Sequence, residues 1–186
     1  ELYKQLFHFY VMDNKTYDWW IFPFQLCSLP MYLCAILPFM KKSRWLIPLE
    51  TFLMDFNLLG GLMALLVPDG LMHPYITLTL HAFVWHFLLL FVGCFIGFSR
   101  HGDTSLSGFI KTLPILLICI GAATLLNVLF HSYGDINMFY ISPYKITTQP
   151  VFSQIMKRTG IWIGNLLYIT AMCITAFLIH RMFATI

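Results

Sequence analysis

The sequence predicts an all-α protein, a polytopic bundle of membrane-spanning helices, and its composition is the first of three observations behind this prediction. Of the 186 residues, 59% are hydrophobic and 10% are charged, whereas about 25% of the residues in a soluble domain are charged. So few polar side chains cannot cover a globule in water, but lipid tails accept Leu, Ile and Phe directly. The composition therefore excludes an ordinary soluble domain.

The second observation is a series of apolar stretches, each close to the ~20 residues that a spanning helix needs. These stretches cover residues 19–40, 45–67, 75–98, 109–130 and 159–183. Turn-forming Gly, Pro, Asp and Ser lie between them, and no internal repeat is present. We predict a single membrane domain over residues 1–186 with about five spans. Because the chain begins at Glu1 and not at a Met, we expect a sixth span upstream.

The third observation is the placement of Lys and Arg, which favour the cytoplasmic side in short loops. The short loop after the second stretch contains neither residue type. The basic residues of the other short loops and of the last helix end are Lys41, Lys42, Arg44, Arg100, Lys111 and Arg181. This pattern predicts a multi-pass protein of the cell membrane, with the Glu1 end outside and the Ile186 end in the cytoplasm.

Two segments are not predicted to span the membrane. Residues 1–18 suit an interfacial amphipathic helix, or the end of a span that begins upstream. The outer loop, residues 131–158, is rich in aromatic and apolar side chains. We expect it to fold back over the bundle, because irregular backbone at membrane depth must be buried in protein or line a wet cavity.

Charge and cysteine content exclude several classes of function. The net charge is +3, too small and too dispersed for a nucleic-acid partner. The five Cys are odd in number and form no C-x-x-C, so we predict no disulfide framework and no metal or other cofactor. Haem is the weakest alternative, because His81 and His86 point about 140° apart on one helix.

Polar side chains inside the predicted spans are the strongest functional signal, since they cost free energy in lipid and usually face a bundle interior. Cys27 lies roughly 12 Å, and His81 roughly 9 Å, below the outer ends of their spans. A His beside a Cys can remove the thiol proton and make it a nucleophile. Polar residues on nearby spans could orient the imidazole, namely Asp55, Asn57 and Asn127.

Each of these residues also has a structural interpretation. Cys is a common small apolar residue in helices, and His81 would suit a hydrogen bond between helices. Asp55 could pair with His81 or His86 to hold helices together. The pair Gly60–Gly61 is typical of a close helix contact. No single residue therefore indicates a function. Only the combination of Cys27 with His81 indicates acyl transfer through a thioester on the Cys.

Four short motifs occur in the order found in a known family: P-F-Q-L-C-S-L-P, L-L-G-G-L-M-A-L-L-V-P-D, H-A-F-V-W-H and N-M-F-Y-I-S-P. Together they resemble the YwaF family of bacterial integral membrane proteins over essentially the whole chain. That family is distantly similar to eukaryotic multispanning Cys/His phospholipid acyltransferases and to the AIG/ADTRP lipid hydrolases. The resemblance implies a nucleophile at Cys27 and a catalytic His at His81.

The first functional hypothesis is thus a membrane-embedded acyltransferase or lipid-ester hydrolase that acts on membrane lipids in the outer half of the bilayer. Asn137 and Tyr140 of the outer loop would gate the site or contact the lipid headgroup. The alternative is a protein without catalytic activity: a transporter subunit, a lipid-binding protein or an assembly partner of another membrane protein. In that case Cys27 would tolerate replacement by Ala or Ser.

Overall fold

The structure is a computed structural model that describes residues 1–185. Ile186, the cytoplasmic end in the predicted topology, lies outside this range. Within residues 1–185 the chain forms helices and connecting segments without strands, which confirms the all-α class. The α-helices are α1 (Leu2–Phe7), α2 (Leu29–Ile36), α3 (Leu46–Phe52), α4 (Leu58–Leu66), α5 (Ile76–Phe98), α6 (Leu106–Phe130), α7 (Phe152–Thr159) and α8 (Ile161–Thr185).

Four helical stretches in the described range are long and apolar enough to cross a membrane. They are Leu46–Leu66, α5, α6 and α8. In Leu46–Leu66 a π-helical segment, Leu53–Asn57, joins α3 to α4. Each stretch has at least the ~20 residues that a spanning helix needs. Four of the predicted spans are therefore confirmed as helices, and the protein is a multi-pass membrane protein.

The first predicted span is shorter than expected, and it is interrupted. Residues 19–21 form a 3₁₀ turn, and an apolar helical stretch resumes only at Leu26 and ends at Phe39. Pro23 lies in the gap. Proline lacks the N–H that donates a hydrogen bond in a helix interior, so Pro23 interrupts the helix. The first turn of a helix does not need this N–H, and Pro30 is therefore tolerated at the start of α2. The prediction of one continuous span over residues 19–40 is therefore wrong in its bounds.

The chain divides into two compact units, and the divisions fall after residue 25 and inside α6 and α8. Unit 1 contains residues 1–25 and 118–171, and unit 2 contains residues 26–117 and, within the described range, 172–185. The single domain expected over residues 1–186 stays a prediction. Residues 2–12 of unit 1 are helical, as both interpretations of the first segment require.

Unit 2 has a core in which small residues let helices approach closely. Leu53, Met54, Leu58, Ile96 and Phe183 form this buried cluster. A Cβ on Gly93 would lie 2.7 Å from the Leu58 Cβ, and a Cβ on Gly97 would lie 2.4 Å from the Phe183 ring. Both distances are shorter than van der Waals contact. The glycines on α5 therefore make this packing possible, as small residues do between membrane helices.

Unit 1 buries much of the predicted outer loop. Ile136, Met138, Phe139 and Ile141 are each less than 5% exposed. The apolar composition of this segment thus reflects packing inside unit 1, and its main-chain polar groups must find partners there.

Candidate functional site

Cys27 of unit 2 lies in the turn Leu26–Ser28 that leads into α2. The indole Nε1 of Trp85, on α5, donates a hydrogen bond of 3.0 Å to the Cys27 carbonyl. On α4, a Cβ at Gly60 would lie 3.8 Å from the Cys27 backbone nitrogen. The Cys27 main chain is thus held between α4 and α5, and its side chain is half-buried.

His81 lies on the same helix as Trp85, four residues earlier. Side chains four residues apart in a helix share a face, with Cβ atoms about 5–6 Å from each other. Both residues are half-buried. The hydrogen bond from Trp85 to the Cys27 carbonyl therefore connects the Leu26–Ser28 turn to the face of α5 on which His81 lies. His86 lies on another face, where its Nδ1 is 2.7 Å from the Ala82 carbonyl oxygen.

Asp55 pairs with His180, which corrects the prediction that it pairs with His81 or His86. The carboxylate oxygens of Asp55 lie 3.0 and 3.2 Å from Nδ1 of His180. Nε2 of the same imidazole lies 2.9 Å from the Ser105 carbonyl oxygen. Neither Asp55 nor His180 has exposed surface. The pair joins the π-helical segment to the end of α8, so Asp55 is placed to stabilise unit 2 and not to orient His81.

Asn57 connects the same π-helical segment to α5. Its Nδ2 donates a hydrogen bond of 3.0 Å to the Leu89 carbonyl, two helical turns beyond His81. Its Oδ1 is buried and has no hydrogen-bond partner. Leaving such an oxygen unpaired costs about 1–3 kcal/mol. Asn57 therefore fixes α5 against its neighbour and makes no contact that would orient the imidazole directly.

The other predicted orienting residue, Asn127, holds the outer loop of unit 1. Its Nδ2 donates to the Met138 carbonyl at 3.0 Å, and its Oδ1 accepts the Met138 N–H at 2.6 Å. The amide of Gln25 bonds the two residues that flank Met138. It donates to the Asn137 carbonyl at 3.1 Å and accepts from the Phe139 N–H at 2.8 Å. Each side-chain amide thus satisfies two buried main-chain groups.

Asn137 and Tyr140 differ from each other in exposure. Asn137 is 5% exposed, and its Oδ1 accepts the Ser142 N–H at 2.8 Å, so it forms part of the buried loop; its role as a gate or headgroup contact stays a prediction. Tyr140 is half-buried, and its headgroup contact stays a prediction. Phe139 and Tyr140 have φ of +57° and +61°. Left-handed conformations of such residues cost about 1–3 kcal/mol each, which the amide hydrogen bonds must offset.

Three structurally important residues were missed by sequence reasoning. Asn165 of α8 donates to the carbonyls of Ile141 and Ser142 at 2.9 and 3.3 Å, and its polarity inside an apolar stretch could have identified it. His180 lies close to a helix end, where a His is unremarkable. Trp85 counts as an apolar residue in a span, so nothing in the sequence indicates its hydrogen bond to Cys27.

In residues 1–185 no group of three or more His, Cys, Asp or Glu side chains is placed to share a metal ion. The model of the TMEM164 family matches residues 2–180, which is nearly the whole chain. No curated protein matches the chain, and no solved structure matches it either.

Proposed function

The chain belongs to the TMEM164 family of membrane proteins, and on this premise we propose that it is a lipid acyltransferase or lipid-ester hydrolase that acts through Cys27 and His81. The resemblance of four motifs to the YwaF family, and through it to Cys/His acyltransferases, supports the proposal. The groups it requires, a nucleophile and a base, are both present in unit 2.

One observation carries the proposal: the hydrogen bond from the Trp85 indole to the Cys27 carbonyl. A catalytic pair needs a fixed geometry, because small misplacements of reacting groups slow the reaction strongly. Trp85 supplies such a constraint, since it lies one turn from His81 and is bonded to the main chain of Cys27. The first turn of α2, next to Cys27, also favours negative charge, because the N-terminal end of a helix is partially positive.

The proposed reaction has two steps. In the first, His81 takes the proton of the Cys27 thiol, and the thiolate attacks the carbonyl carbon of a lipid ester. The C–O bond breaks, a thioester forms on Cys27, and the leaving lysolipid hydroxyl receives the proton from His81. In the second, His81 deprotonates an acceptor hydroxyl, whose oxygen attacks the thioester carbonyl carbon. The C–S bond breaks, and His81 returns the proton to the Cys27 thiolate. A lysolipid acceptor gives acyl transfer, and water gives hydrolysis.

The surroundings of Cys27 suit a lipid substrate. The neighbouring elements α2, α4 and α5 are composed almost entirely of apolar residues. In the predicted topology His81 lies in the outer half of the bilayer, roughly 9 Å below the outer end of its span. Cys27 lies at the outer start of the apolar helical stretch Leu26–Phe39. The ester bonds of a phospholipid lie just beneath the headgroups, so the substrate reaches the thiol from within the membrane.

The test is a turnover assay on purified protein reconstituted with isotope-labelled phospholipid and lysolipid, with products followed by mass spectrometry. We expect acyl exchange or fatty acid release from the unmodified protein. Cys27→Ala should abolish it, and His81→Gln should slow it by about 100-fold or more. Cys34→Ala is the matched control, since this exposed Cys lies two turns further along the same apolar stretch and should be inert.

Turnover that survives Cys27→Ala would overturn the proposal. So would the absence of products from the folded, unmodified protein, which would favour the alternative of a lipid-binding or assembly-partner protein. Omitting the lysolipid separates the two reaction types, because only a hydrolase then continues to release product.

A further inference from the structure

Unit 2 contains a groove that the proposed reaction does not use. It has a volume of about 600 Å³. Its floor is the buried residue Thr51, and its walls come from the starts of two spanning helices and from the turn before α6. The lining residues are Arg44, Trp45, Ile47, Pro48, Thr51, Asp103, Gly108, Lys111 and Pro114.

The turn before α6 is held in place by contacts of its own main chain. The Asp103 N–H donates to Thr51 Oγ1 at 2.9 Å, which ties the turn to α3. A Cβ on Gly108 would lie 2.1 Å from the Asp103 carbonyl oxygen, so only glycine lets the turn approach the first turn of α6 this closely. The edge of the groove is therefore part of the fold and does not depend on a flexible loop.

Two cations and one carboxylate line the groove. The Arg44 guanidinium lies 5.7 Å from the Trp45 ring centroid, and Lys111 Nζ lies 3.8 Å from Asp103 Oδ2. Hydrogen bonding from Ser105, together with the charge of Lys111, holds the pKa of Asp103 below its ordinary value. Asp103 is thus ionised at neutral pH. With Arg44 and Lys111 charged, the groove carries one excess positive charge, which a single phosphodiester would neutralise.

The remaining walls are apolar, although they are accessible. Ile47 is 51% exposed and Pro114 is also exposed. Ile47 lies in the first turn of its spanning stretch, and Pro114 lies about two turns into α6. Along these turns side chains pass from the headgroup level to the hydrocarbon. A soluble phosphate would make no use of these walls, whereas the acyl chain of a lipid would cover them. Basic pockets between spanning helices are typical binding sites for anionic headgroups.

We propose that this groove binds an anionic phospholipid, with its phosphate between Arg44 and Lys111 and an acyl chain along the exposed residues Ile47 and Pro114. The Trp45 indole lies at the headgroup level, where Trp is favoured. Asp103 limits the affinity, because it offsets one of the two cations. The site is independent of Cys27 and of any reaction there.

Trp45 supplies the probe for the test. The purified chain and a Trp45→Phe variant are reconstituted in phosphatidylcholine vesicles with increasing mole fractions of dibrominated phosphatidylglycerol, whose bromines quench nearby indoles. The difference between the two fluorescence signals reports Trp45 alone. We expect half-quenching at a mole fraction about fivefold lower than with dibrominated phosphatidylcholine.

Charge variants then locate the phosphate. Arg44→Gln and Lys111→Gln should each raise the half-quenching mole fraction about fivefold, because each cation near a lipid surface contributes a factor of this size. Asp103→Asn should lower it. Lys157→Gln is the matched control: it removes the same charge from an exposed position in α7 of unit 1 and should leave the Trp45 signal unchanged.

Three results would overturn the proposal. The first is equal quenching of Trp45 by the brominated anionic and zwitterionic lipids. The second is a shift with Lys157→Gln as large as that with Lys111→Gln, which would indicate a general surface-charge effect. The third is recovery of the fluorescence on addition of millimolar inorganic phosphate, which would show that the groove takes a free anion and not a lipid.

Discussion

Nδ1 of His180 lies 3.0 Å from Oδ2 of Asp55, and neither side chain has exposed surface. A carbonyl oxygen accepts hydrogen bonds only, so the contact of Nε2 with the Ser105 carbonyl places a hydrogen on Nε2. The contact between Nδ1 and the carboxylate then holds a second proton, shared between the imidazole and Asp55. Both ends of the imidazole are therefore paired in a buried site.

We predict that His180→Ala destabilises the protein strongly, because it leaves the Asp55 carboxylate buried without a partner. Breaking a buried pair of this kind costs about 3–5 kcal/mol. Thermal unfolding of the detergent-solubilised protein measures the loss. His101→Ala removes an exposed His from unit 2 and should have little effect, and equal losses from the two variants would contradict a special role for the buried pair.

A second prediction concerns Gly93, which allows α5 to pack against Leu58. Gly93→Ala places a methyl group 2.7 Å from the Leu58 Cβ, and overpacking of this kind costs about 1–3 kcal/mol. Gly121→Ala on α6 is the control, because a Cβ there meets nothing within 4 Å. Thermal unfolding should therefore shift for Gly93→Ala only. An equal shift in the two variants would point to helix propensity as the cause.

A third prediction concerns the amide side chain that holds the outer loop. Asn127→Leu keeps the approximate volume but removes both hydrogen bonds to Met138. The buried N–H of Met138 is then unpaired, and its carbonyl retains only the 3.4 Å hydrogen bond from the Ile141 N–H. We expect faster hydrogen exchange and faster proteolysis within residues 131–151, because local opening becomes easier. Gln154→Leu, at an exposed position of α7, should leave both rates unchanged. If Asn127→Leu left the loop as resistant to hydrogen exchange and proteolysis as in the unmodified protein, the packing of Met138 and Phe139 alone would be sufficient to hold the loop.

A fourth prediction rests on the proposed function and concerns Trp85. Trp85→Phe keeps an aromatic ring beside His81 but removes the hydrogen bond to the Cys27 carbonyl. We expect kcat of lipid turnover to fall by about tenfold to 100-fold with little change in KM, since the reacting groups lose their alignment. Trp162→Phe, at a 74% exposed position of α8, is the control. An increase in KM with kcat unchanged would instead mean that Trp85 contributes to substrate binding only.

A fifth prediction tests the topology. The structure places Arg44 and Lys111 on one groove, and Arg100 within 3.3 Å of the Phe183 carbonyl oxygen, so these cations gather at one end of unit 2. We expect that end to face the cytoplasm. In a cysteine-free variant, a membrane-impermeant maleimide applied to intact cells should label Asp69→Cys but not Lys42→Cys. The opposite pattern would reverse the orientation.

The sequence alone determined the fold class and most of the helix positions. Each apolar residue in α5, α6 or α8 contributes to membrane insertion independently of its neighbours in space, so a sum along the chain identifies the spans. It also identified Asp55, Asn57 and Asn127 as polar residues whose burial in a span required a partner, although it missed Asn165 and His180. Prolines around the first stretch changed its bounds, because a hydropathy sum does not register a missing N–H.

Only the tertiary structure decided which partner each polar residue has. Asp55 and His180 are 125 residues apart in the chain, and whether they meet depends on how each helix is rotated about its axis. The rotation of α6 likewise decides that Asn127 bonds Met138, and the rotation of α5 decides that Trp85 bonds the Cys27 carbonyl. Insertion free energy depends on what each residue is, whereas hydrogen bonds depend on distance and direction between groups, and no pattern within a single helix contains that information.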